Sequence, residues 1–400
     1  MEPLRERIID VDLGDLGLDE GAHLLVQRAL AQCDPAQVIR VRGTAHALAV
    51  DLRGWARAQG HRFEVSEGAW ILSRSASYDG RWRNAVRASG TDAATSPGEH
   101  ASSRWGVAAR GALVEDSVPA WDFALGDKDS VWSDDAPRLY AMGAAAQWDP
   151  ATAVPWSSEL THPAEVEDAV VQVMTYLIEN ETAALQVPAR FLGRVHPHYR
   201  EIVQVLALQC ADEARHMEVF TRRALLQRDA LGLSTAGGQR SLQTLYEEPD
   251  YAIASFLLSV LGEGSFLSLL WFLHAHGPDE VTRSVAKLSA QDEARHVAFS
   301  LSHLQRHCER EPAIRAKFAR AVDARHQALQ HTAGLNREVF DGLVLLAAGG
   351  WSPAALRRGH HAVIALQQTM DEGRRGRLAR LGFSAGEAEA LSALHTRNFM

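Results

Sequence analysis

In the first 75 residues, segments with the apolar spacing of a β-strand alternate with segments that have the apolar spacing of an α-helix. Alternation of apolar and polar residues predicts four strands, at 8–13, 38–41, 62–65 and 70–73. Recurrence of apolar residues every three to four positions predicts two amphipathic helices, at 20–32 and 45–59. The resulting order βαβαββ predicts a small sandwich in which helices cover one face of a sheet.

A helical period runs through residues 163–330. It is interrupted at Pro188, the His196-Pro197 pair, residues 232–238 and the Gly277-Pro278 pair. These breaks leave four long segments, at about 164–187, 198–229, 250–275 and 279–309. Four long amphipathic segments that run up and back predict an antiparallel four-helix bundle. Residues 331–400 predict further helices, broken at 349–350 and near Gly382.

Two stretches without a clear period separate these regions. Residues 76–104 are rich in Ser, Ala, Gly, Thr and Asp, which is typical of a linker. Residues 105–160 are too aromatic for a disordered segment, and we expect an irregular arm packed on the bundle. Its tryptophans are Trp105, Trp121, Trp132, Trp148 and Trp156. The predicted fold class is multidomain α+β, with a domain at 1–75, a linker at 76–104, an arm at 105–160, a bundle at 161–330 and a C-terminal helical extension at 331–400.

Composition and charge narrow the classes of function. The chain of 400 residues is 46% hydrophobic, and its net charge of −9 argues against partners such as nucleic acid or an anionic membrane surface. Gly262, Glu263 and Gly264 interrupt the longest apolar run, so we expect no membrane span. Residues 1–5 lack the apolar stretch of a signal peptide, and the three cysteines have no zinc or disulfide spacing. A cytoplasmic protein is expected.

One five-residue sequence occurs twice, 80 positions apart. Asp-Glu-Ala-Arg-His spans residues 212–216 and returns at 292–296. Helical positions i and i+3 share a face, so each copy offers one glutamate and one histidine to a metal ion. Each pair lies within an apolar stripe, where a charge without a partner costs several kcal/mol.

Two further glutamates lie on the faces that should meet these motifs. Glu263 is the one internal charge of an almost wholly apolar segment, and its neighbours Gly262 and Gly264 predict a local bulge or a close helix approach. In the first segment, the period places Glu181 on the apolar face and Glu179 on the polar one. Glu181 precedes Glu213 by 32 residues, and Glu263 precedes Glu293 by 30. Each separation corresponds to one helix, a short turn and a return along the next helix to the same depth.

Together these residues predict a two-metal site at the centre of the bundle. The six candidate ligands are Glu181, Glu213, His216, Glu263, Glu293 and His296. Their four carboxylates carry a net charge of −4, which matches two divalent ions. Oxygen and imidazole ligands suit two irons, two manganese ions or one of each better than copper or structural zinc.

Other residues on the same faces are candidates for supporting roles. Asp212 and Asp292 are placed to accept a hydrogen bond from the histidine of the opposite motif. Arg215 and Arg295 either pair with these carboxylates or form surface salt bridges. Four residues on the inner stripes are candidates for a substrate pocket, although small side chains there also let helices approach closely: Gln209, Phe220, Ser289 and Ser300.

The doubled pattern resembles that of the ferritin-like di-iron carboxylate proteins, over about residues 165–310. It is similar to the patterns of the bacterial arylamine N-oxygenases and of the small subunits of ribonucleotide reductase. The resemblance implies that the six residues bind two irons, which in the ferrous state reduce O2 to an oxidant. Phe220 stands where the radical-storing reductases have a tyrosine, and residues 289–291 lack the extra histidine of the N-oxygenases.

Residues 1–75 resemble the TusA-like sulfur carriers, over about 65 residues. That family carries a cysteine at the start of its first helix, whereas residues 18–23 contain none. Persulfide chemistry needs a thiolate. We therefore expect this domain to dock a partner protein or to have a structural role.

The leading functional hypothesis is an oxidoreductase that uses two irons and O2 to hydroxylate, N-oxygenate or desaturate a small organic substrate. Most such reactions need an external electron donor. Two other hypotheses remain open: a ferroxidase or peroxide-handling iron protein, and an interaction protein whose metal is purely structural. The chain is also compatible with a homodimer.

Overall fold

The structure is a computed structural model that describes residues 8–34, 37–74, 84–89, 97–329 and 337–396. The chain forms two compact units. The first comprises Met1–Ser96 and Ala108–Ala120, and the second comprises Pro97–Val107 and Trp121–Met400. Much of the predicted linker lies outside the described residues, as do the first five residues and the last four.

The first unit has the predicted βαβαββ order. Its elements are β1 (Ile9–Asp12), α1 (Ala22–Gln32), β2 (Val38–Arg42), α2 (Leu48–Ala58), β3 (Arg62–Ser66) and β4 (Ala69–Ser73). The sheet order is β1-β2-β4-β3, with β1 parallel to β2 and β4 antiparallel to both of its neighbours. Ile39 and Val41 on one face of β2 are fully buried in a cluster with Val26 of α1 and Leu52 of α2. Both helices therefore cover the same face, as predicted.

A second, two-stranded sheet belongs to the same unit. It pairs β5 (Val86–Arg87) with β6 (Leu113–Val114) in antiparallel fashion. Residues 108–120, which the sequence analysis included in an arm on the bundle, thus contribute to the first compact unit.

The second unit is helical. Two short helices precede the bundle, α3 (Lys128–Val131) and α4 (Ala136–Ala145). The bundle helices are α5 (Ala164–Leu192), α6 (Arg200–Ala224), α8 (Tyr251–His276) and α9 (Glu280–Arg310), and α7 (Ala236–Tyr246) lies in the connection between α6 and α8. They are followed by α10 (Ile314–Leu329), α11 (Arg337–Ala348), α12 (Pro353–Arg380) and α13 (Ala385–Thr396).

Two apolar clusters fill the bundle, and each draws residues from all four of its helices. Taken in the order α5, α6, α8 and α9, the first cluster contains Phe191, Leu206, Phe256 and Phe299. In the same order, the second contains Leu177, Phe220, Leu269 and Val285. The chain runs from the second cluster to the first along α5 and α9, and in the reverse direction along α6 and α8. The four helices therefore form an antiparallel, ferritin-like bundle, which confirms the predicted fold class.

Helix α5 continues through Pro188, where the sequence predicted a break. It ends at Leu192, and Pro188 is buried together with Val187 and Phe191. A proline inside a helix costs about 3 kcal/mol. Burial of the neighbouring apolar side chains in the first cluster offsets this cost, so the predicted break was wrong.

The middle of α8 is a π-helix that runs from Phe256 to Glu263. Such a segment departs from the regular hydrogen-bond pattern, and Nε of Arg377 on α12 donates to the carbonyl of Val260 at 2.6 Å. A Cβ at Gly264 would collide with the same guanidinium, so any larger residue there requires the Arg377 side chain to shift. The predicted bulge beside Glu263 is confirmed.

Helix α8 is also long and apolar enough to cross a bilayer, contrary to the expectation from the interrupted apolar run. Its most apolar window is 78% buried inside the protein, however, and the core helix of a bundle meets the same criterion. Helices α11 and α12 taken together would also satisfy this criterion of length and hydropathy, but the two helices are bent by 119° at the break between them. A membrane role has weak support from these helices.

Candidate metal centre

The six predicted ligands meet where one apolar cluster of the bundle gives way to the other. Glu181 and Glu263 occupy this level on α5 and α8, and the two motif pairs occupy it on α6 and α9. Each of the six side chains is buried, with no residue more than 5% exposed. Burial of six ionisable groups in one place is costly unless they are paired or bind metal.

The six residues form two overlapping groups, each able to hold a metal ion. One group is Glu181, Glu213, His216 and Glu293, and the other is Glu213, Glu263, Glu293 and His296. Within each group, one ligand atom from every residue lies within 4.8 Å of the others. Glu213 and Glu293 belong to both groups, so these two carboxylates can serve both ions.

The two imidazoles direct their Nδ1 atoms into the centre. His216 Nδ1 lies 3.1 Å from Glu213 Oε2 and 3.4 Å from Glu293 Oε1. His296 Nδ1 lies 3.0 Å from Glu213 Oε1 and 3.5 Å from Glu293 Oε2. Each of the two shared glutamates thus faces both histidines, which reflects the pseudo-twofold relation of the repeated motif.

Each imidazole contacts the aspartate of the opposite motif through Nε2. His216 Nε2 lies 3.1 Å from Asp292 Oδ2, and His296 Nε2 lies 3.2 Å from Asp212 Oδ2. A carboxylate at this position favours the tautomer with the proton on Nε2. The lone pair of Nδ1 then remains available to a metal ion.

Both aspartates are held by both motif arginines. Arg215 Nη2 donates to Asp212 Oδ1 at 2.5 Å and to Asp292 Oδ2 at 2.8 Å. Arg295 Nη2 donates to Asp292 Oδ1 and, at 3.4 Å, to Asp212 Oδ2. The arginine side chains are only 9% and 12% exposed, so they form ion pairs of the centre and not surface salt bridges.

The pKa values of three of the candidate carboxylic ligands, Glu181, Glu213 and Glu263, are shifted, and not all in the same direction. Burial raises the pKa of Glu181 and Glu263, and the charges of Glu213 and Glu293 raise it further. Burial also acts on Glu213, but the histidines outweigh it and hold its pKa well below the usual range.

The two histidines show the complementary effect. Burial favours their neutral form, but the surrounding carboxylates outweigh it and raise the pKa of His216 and His296 well above the usual range. Protons and metal ions therefore compete for these ligand atoms.

The donor atoms fit a pair of divalent ions. Among the described residues, several buried ligand atoms have no hydrogen bond of adequate geometry: one oxygen each of Glu181, Glu213 and Glu263, both oxygens of Glu293, and Nδ1 of His296. Polar atoms without partners are rare in protein interiors, and metal coordination would satisfy all of them. Carboxylates with two imidazoles suit iron and manganese.

Two residues outside the predicted site, Gln147 and Trp148, contact the aspartates on the outer side of the centre. Gln147 Nε2 donates to Asp212 Oδ1 at 2.9 Å, and Trp148 Nε1 donates to Asp292 Oδ2 at 2.8 Å. The Arg215 guanidinium carbon lies 4.6 Å from the Trp148 ring centroid. Both residues follow α4 in an irregular stretch, where no hydrophobic period indicates which way a side chain points.

The four candidate pocket residues lie around the centre without sharing one cavity. Gln209 Nε2 donates to Glu263 Oε1 at 3.1 Å. Gln209 and Ser300 line a small cavity between α5, α6, α8 and α9. Phe220 and Ser289 are fully buried.

A larger and mostly apolar cavity adjoins the other side of the centre. It is partly open to solvent. The three glutamates that line it are Glu181, Glu263 and Glu293. Leu258 and Phe266 of α8 contribute to its apolar wall. Three of the candidate metal ligands therefore line a mostly apolar cavity.

Comparison with known proteins finds structural similarity and no sequence match. No family model and no curated protein matches the chain. An R2-like ligand-binding oxidase with an aerobically reconstituted Mn/Fe cofactor has 18% identity and a TM-score of 0.45, over 60% of this chain and 93% of that chain. A protein from Synechococcus with aldehyde deformylating oxidase activity has 19% identity and a TM-score of 0.40, over 57% of this chain and 96% of that chain. At these scores, the interpretation of the centre rests on its own residues.

Proposed function

We propose that the protein is a non-haem, O2-dependent oxidoreductase that oxidises a small organic substrate at a two-metal centre. The observation that carries the proposal is the pair of ligand groups that share Glu213 and Glu293. The apolar cavity at Glu181, Glu263 and Glu293 gives a substrate access to that centre. When bound, two irons or a manganese–iron pair would supply the oxygen-reducing chemistry.

The residues of the chain hold the ligands in place and keep water away. Asp212 and Asp292 orient the two imidazoles through Nε2, and Gln209 orients the Glu263 carboxylate. The two apolar clusters isolate the ligand set from bulk solvent along the bundle axis. Fixed ligands in a dry site are what a protein contributes to such a reaction.

Hydroxylation, N-oxygenation and desaturation are the reaction types we propose for this centre. Insertion of one oxygen atom from O2 consumes two electrons more than the substrate supplies, so an external electron donor is part of the proposal. The first compact unit is a candidate docking site for that donor or for another partner. The Mn/Fe cofactor of one structural neighbour is the reason to test manganese beside iron.

The proposal is tested by anaerobic loading followed by exposure to O2. The full chain is loaded with ferrous iron, or with manganese and iron together, and mixed with O2 in a stopped-flow spectrometer. We expect two ions per chain and a rapid change in the visible absorption, both disrupted by Glu263→Gln. A fully loaded protein that does not react with O2 would show that the metal is structural, and iron turnover that no organic compound alters would favour a ferroxidase.

A further inference from the structure

The cavity beside the metal centre also contains a buried arginine. Arg325 lies on α10, outside the four bundle helices, and lines this cavity together with the three glutamates. Its Nη2 donates to Ser241 Oγ of α7 at 2.7 Å. Among the described residues, its Nη1 has no hydrogen-bond partner, although the residue is only 7% exposed.

The charge of Arg325 is not matched by the groups around it. Burial lowers the pKa of Arg325 to about 10, so the guanidinium stays protonated at neutral pH. Two divalent ions would neutralise the four glutamates of the centre, and the two motif arginines already pair with the two aspartates. One buried positive charge is then left in the cavity without a counter-charge, which is unfavourable unless an anion binds.

The rest of the cavity wall indicates what kind of anion would fit. Leu242, Leu245, Leu258 and Phe266 make its wall mainly apolar. Arg325 is the one cationic residue among its lining residues, so a singly charged group is favoured over a phosphate dianion. The glutamate carboxylates beside it would repel additional negative charge.

We propose that Arg325 binds the carboxylate of an amphipathic organic acid whose apolar part lies along Leu258 and Phe266, beside the metal ligands. This inference rests on the proposed function and defines its substrate class. Arg325 is accordingly a specificity-determining residue that contacts the end of the substrate that does not react.

Arg325 also borders a second, smaller cavity, with Val322, Leu329 and His395. An anion held on that side would not extend toward the metal centre. Ala184 lines the cavity beside the metal centre and does not line the smaller one. A larger side chain at this position would exclude the apolar part of the acid from the first cavity only, so a substitution of Ala184 distinguishes the two sites.

The test measures binding by isothermal titration calorimetry on the full chain, metal-loaded under anaerobic conditions. The probes are butanoate, hexanoate and octanoate, with octanamide as the neutral match and octyl phosphate as the dianionic one. We expect affinity to rise with chain length and octanamide to bind about 10- to 100-fold more weakly than octanoate, which is the effect of losing a charge-assisted hydrogen bond.

Variants then assign the effect to one residue. Arg325→Gln should remove the preference for octanoate over octanamide, Arg325→Lys should retain part of it, and Ala184→Met should weaken octanoate more than butanoate. Arg240→Gln, an exposed arginine of α7, is the matched control. If Arg325→Gln does not fold, Arg325→Lys decides, because a carboxylate held by the metal ions alone would bind to that variant as tightly as to the unaltered chain.

Three outcomes would overturn the inference: equal binding of acid and amide, tighter binding of octyl phosphate than octanoate, or a preference unchanged in Arg325→Gln. Its failure is distinguishable from failure of the proposed function. A protein that binds two ions and reacts with O2 but shows no preference for carboxylates would retain the function and lose the substrate class.

Discussion

His216 and Asp292, 76 residues apart, are joined by a contact of 3.1 Å between Nε2 and Oδ2. The same contact recurs between His296 and Asp212 at 3.2 Å. Every histidine of the centre is thus oriented by the motif to which it does not belong. The two copies of the motif depend on each other for ligand geometry as well as for ligand number.

Loss of one aspartate should weaken metal binding while both histidines remain in place. Asp292→Asn removes the carboxylate that orients the His216 imidazole, and we expect the metal affinity to fall about 10- to 100-fold. Competition with a chromophoric chelator measures this change. Asp341→Asn, at an exposed position of α11, is the control. An unchanged affinity in Asp292→Asn would mean that the contact does not support the ligand.

Single ligand variants should differ in how many ions the protein retains. Glu181 belongs to one ligand group and Glu263 to the other, whereas Glu213 belongs to both. We therefore expect Glu181→Gln and Glu263→Gln each to weaken one ion selectively, and Glu213→Gln to weaken both. Elemental analysis after desalting gives the stoichiometry.

The neighbour of Glu181 on the polar face provides a matched control for that experiment. Glu179→Gln should retain both ions, because Glu179 lies outside the two ligand groups. Loss of an ion in Glu179→Gln, with retention in Glu181→Gln, would contradict the assignment that rests on helical periodicity.

A buried ion-pair network away from the metal centre should make stability depend on pH. Arg223 donates to Glu167 at 2.7 and 2.9 Å and to Asp279 at 2.7 Å, and all three are buried. Burial opposes ionisation of both acids, but the hydrogen bonds to Arg223 outweigh it and lower the pKa of Glu167 and Asp279.

The sign of the pH effect follows from those lowered pKa values. The stabilisation is complete above the unfolded pKa values of about 4 and is lost as the pH falls through the folded ones. Arg223→Met should cost about 3 kcal/mol or more at pH 7, and its difference from wild type should shrink as the pH falls below about 4. Urea unfolding between pH 7 and 3 measures both effects.

A control for the buried network is the more exposed pair formed by Asp168 of α5 and Arg228, which lies shortly after α6. Arg228→Met should change the free energy of unfolding much less than Arg223→Met at every pH. Equal effects of the two substitutions would contradict a special contribution of the buried network.

The glycines on either side of Glu263 should respond differently to substitution. Gly264→Ala forces the Arg377 guanidinium away from the π-helix and should cost about 1–3 kcal/mol. In Gly262→Ala the new Cβ would lie 3.4 Å from the backbone oxygen of Leu257, and the stability should fall within about 1 kcal/mol of wild type. Thermal unfolding and metal stoichiometry measure the two effects, and equal destabilisation by both would refute the packing role of Gly264.

The bundle and the meeting of its six candidate ligands could be predicted because both depend on local regularities. A repeated motif with i, i+3 spacing and one internal glutamate in an apolar helix specify faces, and antiparallel helices bring those faces together. Pro188 misled the prediction because its cost is local, whereas the burial that offsets it is distant in sequence.

The remaining parts of the centre carry no comparable signal. Gln147 and Trp148 reach the aspartates from an irregular segment, and Arg325 reaches the cavity from a helix outside the bundle. Their positions follow from the packing of whole segments against one another. A sequence pattern that describes one helix at a time does not contain that information.

The sharing of ligands between the two motifs has a consequence for the integrity of the chain. Each hairpin, α5 with α6 and α8 with α9, supplies only part of either ligand group. An ion bound at the centre would therefore cross-link the two hairpins independently of the long connection at 225–250. If that connection were cut by a protease, the bound ion would add to the apolar contacts that hold the two fragments together, and a chelator would lower the stability of their association.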